Sequence, residues 1–271
     1  MPLDLDAYFA RIGCTGPRTP TLATLRALHL RHVNAIPFEN LDVLLGRGVR
    51  IDLESVERKL VHERRGGYCF EHNSLFAAVL RALGFAVTPC LARIRWQKPA
   101  GERSPLTHMV LRVRADGRDW LADVGMGAVG ATAPLALDTE AEQITPHETR
   151  LLARDGAKII HRMRLGQSWG DIYEFTLEEP LPVEFEIANW FSCSHPKAHF
   201  MNNLVVTRVA GDRRLAIANR EFVIRARDGT QERRELTSPE DLLEVLAQSF
   251  DLKFPPRTRF EAPASPWPSP S

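Results

Sequence analysis

The stretch Arg65-Gly-Gly-Tyr-Cys-Phe-Glu71 decides how the chain around it folds. Cys69 opens an apolar run that ends at Gly84, and leucine or valine recurs there every four residues, which predicts an amphipathic helix with a glycine at its C-terminus. Cys69 then lies at the helix N-terminus, where unpaired N–H groups and the helix dipole favour a negative charge. Because the thiolate is the nucleophilic form of cysteine, Cys69 is a candidate nucleophile. The alternative is a buried cysteine that serves only as a small apolar core residue.

The composition is that of an ordinary globular protein. Of 271 residues, 44% are hydrophobic and 25% are charged, and the formal net charge of +1 argues against nucleic acid as the main partner. The N-terminus has no basic segment followed by an apolar one, and no apolar run is long enough to span a bilayer, so we expect a cytoplasmic protein without a membrane partner. The four cysteines are scattered, which indicates neither a disulfide framework nor a zinc site.

The chain outside this stretch changes from helical to extended patterns. Apolar periodicity predicts helices over 3–12, 21–33 and 51–62, with a loop over 34–42, so residues 1–84 form a mainly helical unit that carries Cys69. A series of short strands with turn signals follows and predicts an antiparallel sheet or barrel. Its members are 85–96, 107–113, 120–124, 151–152, 158–164, 173–177, 204–209, 214–219 and 221–226. Ser238 and Pro239 begin a last predicted helix, and the proline-rich residues 255–271 are predicted to be disordered.

A β-hairpin supplies two further candidates. Asp116 and Gly117 favour a two-residue turn, and in that register the numbers of each facing pair sum to 233. His108 and Asp123 are then diagonal neighbours on one face, close enough for two extended polar side chains to meet. We therefore predict a His108–Asp123 hydrogen bond, the arrangement that usually serves a thiolate nucleophile. The alternative is a surface pair on an exposed sheet face.

Three glycines follow this hairpin as G-x-G-x-x-G, namely Gly125, Gly127 and Gly130. A dinucleotide-binding fold would continue with a helix, but the chain runs into Pro134 without a helical pattern, so we do not expect that fold. Glycines allow a backbone to approach a ligand closely, and successive N–H groups can bind an anion. The segment is therefore a candidate site for a phosphate-bearing ligand, with a simple glycine-rich turn as the alternative.

Several stretches together resemble the arylamine N-acetyltransferase family. They are Pro37-Phe-Glu-Asn-Leu41, Arg65-Gly-Gly-Tyr-Cys-Phe-Glu71, Thr107-His108, Trp120-Leu-Ala-Asp-Val-Gly125, and Asn189-Trp-Phe-Ser-Cys-Ser-His-Pro196 with Phe200. The resemblance implies that Cys69, His108 and Asp123 are a catalytic triad. It also implies an α+β fold with a helical bundle over 1–84, a β-barrel over 85–200 and an α/β lid over 201–254, and a nucleophile region similar to that of cysteine proteinases.

The same resemblance implies acetyl transfer from acetyl-coenzyme A to aromatic amines and hydrazines through an acetyl-cysteine, with no tightly bound cofactor and no metal. Phe38, Met126 and Phe191 are expected to line the slot for the aromatic ring, and Gly125, Met126 and Gly127 to contact the coenzyme. A monomer or a homodimer is expected. Two alternatives share the triad: an amide synthase that uses a carrier-bound acyl chain, and a cysteine hydrolase or transglutaminase. A third alternative is a non-catalytic binding protein.

Two positions depart from the family pattern. Family members often have asparagine where Asp42 stands, so Arg65 is expected to gain a direct ionic partner. The loop after Asp123 often carries an aromatic residue between its glycines, and here Met126 stands there. A thioether is more adaptable than a ring, so a different acceptor preference is expected.

Overall fold

The first third of the chain is a helical bundle in this computed structural model, which describes residues 3–99 and 101–267. The side chains of Asp4, Thr21 and Asp52 cap the helices that follow them by accepting backbone N–H groups. A π-helical turn continues the fourth helix over Arg58–His62. The elements are α1 Leu5–Arg11, α2 Leu22–Ala35, β1 Phe38–Glu39, α3 Leu41–Leu44, α4 Leu53–Glu57 and α5 Cys69–Ala82.

Helix α5 is the centre of the bundle. Its Leu75, Phe76, Val79 and Leu80 are each 0% exposed, and they pack in one cluster with residues of α1, α2 and the first strands of the sheet. The helix begins at Cys69, and Gly84 follows its end with a φ of +89°, a conformation that favours glycine. The helix predicted from the apolar run is therefore confirmed, with Cys69 at its first position.

An antiparallel sheet follows and curls into a nearly closed barrel, in the order β5-β4-β3-β2-β9-β8-β7-β6. The side chain of Gln143 bonds to both the N–H and the C=O of Ala136, which connects the two edge strands. The β3–β4 pairing places Leu111 opposite Ala122 and confirms the predicted register. The strands are β2 Ala86–Ile94, β3 Leu106–Ala115, β4 Arg118–Ala122, β5 Leu135–Ala136, β6 Gln143–Ile144, β7 Thr149–Asp155, β8 Lys158–Leu165 and β9 Ser168–Phe175.

Two helices after the barrel were not predicted from the sequence, namely α6 Pro182–Ser194 and α7 His199–Asn202. Helix α6 leaves Ile187 and Trp190 61% and 58% exposed and buries small or polar side chains such as Ala188, so its apolar pattern does not reveal its orientation. Pro182 at the helix start and Glu184 as the capping acid were the usable signals. Although α6 and the start of α7 fall within 85–200, the side chains of both helices pack against the α5 cluster rather than inside the barrel.

The last unit is a second antiparallel sheet of β10 Val205–Ala210, β11 Arg213–Ala218, β12 Glu221–Ala226 and β13 Gln231–Glu235, covered by α8 Pro239–Phe250. Strand β1 of the bundle pairs with β10, with Phe38 opposite Thr207, and so completes this sheet. The short strands β5, β6 and β13 were not predicted. The α+β fold with bundle, barrel and lid agrees with the expectation.

The end of the chain differs from the prediction of a disordered tail. Phe260 is 1% exposed and Ala262 is 5% exposed, and both pack in the cluster that contains Phe250 of α8. The prediction of disorder is therefore wrong for these residues, because a proline-rich segment can still place an aromatic side chain in a core. Residues 268–271 of that predicted tail lie outside the described residues. Among the described helices, none is both long and apolar enough to cross a bilayer.

Candidate active site

The turn before α5 is built to hold Cys69 at the helix start. The Glu71 carboxylate accepts the Tyr68 N–H at 3.0 Å, and Lys59 Nζ donates to the same carboxylate at 2.7 Å. A Cβ at Gly66 would lie 2.1 Å from the Pro37 carbonyl oxygen, and one at Gly67 would lie 2.6 Å from a Glu71 oxygen. Only glycine therefore permits this close approach, which leaves the N-terminal end of α5 facing the barrel.

Asp42 gives Arg65 the direct ionic partner that was predicted. Arg65 Nη2 lies 3.2 Å from an Asp42 oxygen and 2.6 Å from a Glu39 oxygen, and Lys59 Nζ lies 2.8 Å from the other Asp42 oxygen. Burial raises the pKa of Asp42, but the two cations outweigh it and the pKa is lowered overall. The network joins the segment after β1 to the turn before α5.

His108 and Asp123 form the predicted hydrogen bond, 2.8 Å between Nε2 and Oδ2. His108 lies on β3, Asp123 directly follows β4, and each residue is 2% exposed. The alternative of a solvent-exposed surface pair is therefore wrong. A buried carboxylate at this distance orients the imidazole and fixes which ring nitrogen faces away from it.

The electrostatics of this pair favour two opposite charges. Burial alone would lower the pKa of His108, but the negative charge of Asp123, its hydrogen bond and the contribution of Cys69 outweigh burial and raise that pKa to about 10. Burial would raise the pKa of Asp123, yet His108 and the donors on its other oxygen hold it well below its usual range. The imidazolium and the carboxylate are therefore both the favoured forms at neutral pH.

Cys69 completes the cluster from the helix side. A negative charge on Cys69 is among the influences that raise the pKa of His108 and so favour its protonated form. The Cys69 thiol also points at the Thr107 carbonyl oxygen, 3.6 Å away, on the strand that carries His108. Cys69 is 3% exposed, so its thiol is almost fully shielded from water. Helix α5, strand β3 and the end of β4 thus bring the three predicted residues together.

Asn73 is a part of the site that the sequence reasoning missed. Its Nδ2 donates to Asp123 Oδ1 at 3.0 Å and to the Met109 carbonyl at 2.7 Å, and its Oδ1 accepts the Val124 N–H at 3.1 Å. The signal was available, because Asn73 follows Cys69 by four residues and so lies on the same face of the helix. Asn73 therefore orients the carboxylate that orients His108.

The glycine segment after Asp123 packs against the nucleophile instead of opening a helix as in a dinucleotide-binding fold. The Gly125 N–H donates to Asp123 Oδ1 at 2.9 Å, and a Cβ on Gly125 would lie 2.7 Å from the Cys69 Cα. Gly127 has a φ of +74° and begins a short 3-10 turn. The Gly130 carbonyl accepts a bond of 2.8 Å from each of two buried arginines, Arg150 and Arg214, which clamp the end of this turn.

Two of the three residues predicted to hold an aromatic ring share a cavity beside the triad. Phe38 and Met126 line it together with Asp123 and Gly127, and the free volume is about 20 Å³. Phe191 is not among its lining residues and stacks on His195 instead, with ring centroids 4.6 Å apart. A phenylalanine ring that does approach Phe38 is that of Phe200, at 5.9 Å between centroids. The geometry therefore supports Phe38 and Met126 but not Phe191.

The arrangement can perform nucleophilic chemistry without a metal. A thiol at a helix N-terminus, an imidazolium beside it and a buried carboxylate behind the imidazole are the components of covalent acyl transfer. Over residues 3–99 and 101–267, no group of three or more histidine, cysteine, aspartate or glutamate side chains is arranged to hold a metal ion.

Comparisons with known proteins agree with this arrangement. Residues 21–259 match a family model described as N-acetyltransferase. An arylamine N-acetyltransferase of Escherichia coli is 39% identical over 249 residues, which cover 92% of this chain and 88% of that protein. The solved structure of arylamine N-acetyltransferase from Salmonella typhimurium matches with a TM-score of 0.87 at 38% identity, covering 92% of this chain and 90% of that one. The Mycobacterium marinum arylamine N-acetyltransferase in complex with CoA matches with a TM-score of 0.88 at 36% identity, covering 92% of each chain.

Proposed function

This chain belongs to the arylamine N-acetyltransferase family. On that premise we propose that it transfers acetyl groups in two steps through an acetyl-Cys69 intermediate. The activity itself is acetyl-CoA-dependent acetylation of arylamines, with acetyl-CoA as a cosubstrate. The observation that carries the covalent mechanism is the buried His108–Asp123 hydrogen bond, with the Cys69 thiol 3.6 Å from the carbonyl oxygen of Thr107, the residue before His108. A surface histidine could not hold a charge against a thiolate in this way, because water would screen it.

In the first step the Cys69 thiolate attacks the carbonyl carbon of the acetyl thioester. The bond between that carbon and the coenzyme sulfur breaks, and His108 gives its proton to the leaving thiolate, so that free coenzyme A and neutral His108 result. The oxyanion that forms in between needs hydrogen-bond donors. The Cys69 N–H at the first position of α5 has no intrahelical acceptor and lies beside the reacting sulfur, so it is the donor that we assign.

In the second step an arylamine nitrogen attacks the acetyl-cysteine carbonyl. Neutral His108 takes the amine proton, the carbon–sulfur bond breaks, and Cys69 leaves as the thiolate that the first step requires. Arylamines suit this step because a weakly basic amine is largely neutral at pH 7 and therefore nucleophilic. Asp123 stabilises the imidazolium in both steps and does not itself receive the proton.

The acceptor ring is assigned to the cavity between Phe38 and Met126. Its free volume of about 20 Å³ is too small for an aromatic ring, so one of these side chains must change its rotamer when an acceptor enters. The unbranched Met126 side chain is the more adaptable of the two. The backbone of Gly125, Met126 and Gly127 is our assignment for contacts with the coenzyme, which approaches the same end of α5.

The test is the intact mass of the protein after incubation with acetyl-CoA in the absence of any amine. We expect one added acetyl group on the wild type and on the Cys90→Ala variant, and none on Cys69→Ala. Cys90 is a matched control because it is also buried, at 0% exposure, and burial raises the pKa of its thiol to about 11. An arylamine should then remove the acetyl group from the wild type. A folded wild type that remains unmodified, or a Cys69→Ala variant that is still acetylated, contradicts the proposal.

A further inference from the structure

A second buried chain of hydrogen bonds lies beside the triad and takes no part in the mechanism above. Tyr8 Oη lies 2.9 Å from His32 Nδ1, His32 Nε2 lies 2.9 Å from His72 Nδ1, and His72 Nε2 lies 3.1 Å from the Pro37 carbonyl oxygen. The three side chains come from α1, α2 and α5, and none is more than 1% exposed. The chain therefore links three helices of the bundle to one backbone carbonyl.

The direction of every hydrogen bond in this chain follows from its end. The Pro37 carbonyl can only accept, so His72 Nε2 carries the proton and, in a neutral ring, His72 Nδ1 must accept. His32 Nε2 then donates to His72, and Tyr8 Oη donates to His32 Nδ1. Burial, the first cause, lowers the pKa of His72 to about 4, so the ring is neutral at pH 7. His72 therefore has one function at each nitrogen: it accepts from His32 and donates to Pro37.

The row of hydrogen bonds that starts at Tyr8 ends at Pro37, next to the wall of the acceptor cavity. Pro37 precedes Phe38, whose ring is nearly parallel to the His72 ring, with 12° between the planes and 6.3 Å between the centroids. The Pro37 carbonyl also accepts the Gly67 N–H at 3.4 Å, and the Glu39 N–H donates to the Gly67 carbonyl at 2.7 Å. His72 thus holds both the backbone before Phe38 and one face of its ring.

We propose that His72 is a positioning residue that fixes Phe38 as the aromatic wall of the acceptor site, and this inference rests on the proposed function of that site. One helix then serves both steps of the reaction. Asn73 orients Asp123 of the triad, whereas the adjacent His72 orients Phe38, which an aromatic acceptor contacts. Loss of the bond to Pro37 should weaken recognition of aromatic acceptors and leave the acetylation of Cys69 by acetyl-CoA unchanged.

Two substitutions separate the two nitrogens of His72. In His72→Gln the amide nitrogen takes the place of Nε2 and can still donate to Pro37. In His72→Asn the amide oxygen takes the place of Nδ1 and can accept from His32, but the shorter side chain cannot reach Pro37. We expect His72→Asn to raise the KM for an arylamine about tenfold, because the loss of one hydrogen bond typically weakens binding by about that factor. His72→Gln should stay within about twofold of the wild type, well below that tenfold step.

Two further measurements exclude a merely structural role. Unsubstituted hydrazine has no ring to contact Phe38, so its KM should be unchanged in His72→Asn, as should the rate at which acetyl-CoA acetylates Cys69. The matched control is Tyr8→Phe, which removes a buried hydrogen bond at the far end of the same chain. It should lower the melting temperature without changing the arylamine KM.

Hydrogen exchange of the segment around Phe38 gives a readout that requires no activity. The Glu39 N–H should exchange faster in His72→Asn than in the wild type and His72→Gln, because Pro37 loses a partner. Equal exchange in all three proteins overturns the inference, and so does an equal arylamine KM in His72→Asn and the wild type. If the exchange differs as expected but the wild type never acetylates an arylamine, the positioning stands and the proposed function fails.

Discussion

Two buried histidines near the start of α5 have opposite protonation states. His108 and His72 are 2% and 1% exposed, so water screens neither ring. The pKa of His108 is raised to about 10, whereas that of His72 is lowered to about 4. Burial opposes the charged form in both cases. The difference comes from the group at the end of each hydrogen bond, which is the Asp123 carboxylate for His108 and the neutral Pro37 carbonyl for His72.

The comparison shows what burial does to a polar group inside this protein. A neutral partner satisfies the hydrogen bond but does not compensate for the free energy of desolvating a charge. His72 therefore stays neutral and links its two hydrogen-bond partners. A carboxylate supplies a counter-charge that exceeds this cost, so His108 is held as an imidazolium next to Cys69. The largest difference between the chemically active histidine and the structural one is thus the buried carboxylate that only His108 has as a hydrogen-bond partner.

The largest expected effect comes from removing that partner. Asp123→Asn keeps the size of the side chain but removes the negative charge, so the pKa of His108 should fall below its usual value, toward that of His72. We expect kcat to drop by about 10⁴-fold, as when the carboxylate of a comparable triad is neutralised. Steady-state kinetics with an arylamine and a nuclear magnetic resonance titration of the His108 ring measure the two effects.

The control is Asp119→Asn on the same hairpin, where a carboxylate faces Arg114 at the surface. Its activity should match the wild type. An Asp123→Asn variant that retains high kcat, or a His108 pKa that does not fall, would show that the carboxylate is not what distinguishes the two histidines.

A smaller effect is expected from Asn73→Ala, which removes a donor from Asp123 without changing any charge. The carboxylate keeps the Gly125 N–H as a donor, but its orientation is less restricted and the Val124 N–H loses its acceptor. A lost buried hydrogen bond of about 1–3 kcal/mol corresponds to a fall in kcat of about 5- to 150-fold. Ser74→Ala, one residue further along α5, is the control and should leave kcat unchanged. Equal kcat in both variants would mean that the hydrogen bond from Asn73 is not required to orient Asp123.

A third effect concerns the free energy of unfolding rather than activity, and its dependence on pH differs between the two histidines. The folded pKa of His72, about 4, lies below its unfolded value of about 6.5. As pH falls from 6.5 to 4, the unfolded state binds a proton that the folded state does not, so the ring lowers stability by about 1.4 kcal/mol per pH unit. His72→Gln should remove this slope while keeping the bond to Pro37. Urea unfolding at pH 7, 6 and 5 on both proteins measures it.

His108 should affect the free energy of unfolding at alkaline pH. Its folded pKa of about 10 lies above its unfolded value, so its stabilising contribution is fully present below about pH 6.5 and is lost as pH rises through about 10. His72→Gln should therefore leave the alkaline limb of the stability profile as it is in the wild type. Identical acid limbs in the two proteins would contradict the assignment of a neutral buried His72.

The position of the nucleophile and its two partners could be predicted from local patterns. The apolar period after Cys69 and the glycine at position 84 determine the start and the end of α5, since a helix of this length is specified by residues within it. The turn at Asp116 and Gly117 determines the β3–β4 register, because one residue of slip would turn every side chain to the other face. His108 and Asp123 meet as a direct result of that register.

The lining of the cavity depended on the tertiary structure. Phe191 was predicted in the acceptor slot and Phe200 was not. Helix α6 buries small or polar side chains, and α7 has only four residues, so neither helix shows an apolar period that would reveal its orientation. Asn73 and His72 follow Cys69 in the sequence, yet their partners Asp123 and Pro37 lie 50 and 35 residues away. Local sequence determines where an element begins and which side chains share its face. Which of those side chains become charged, and which only connect, is decided by long-range packing, because burial and the nature of the partner are set only when distant segments meet.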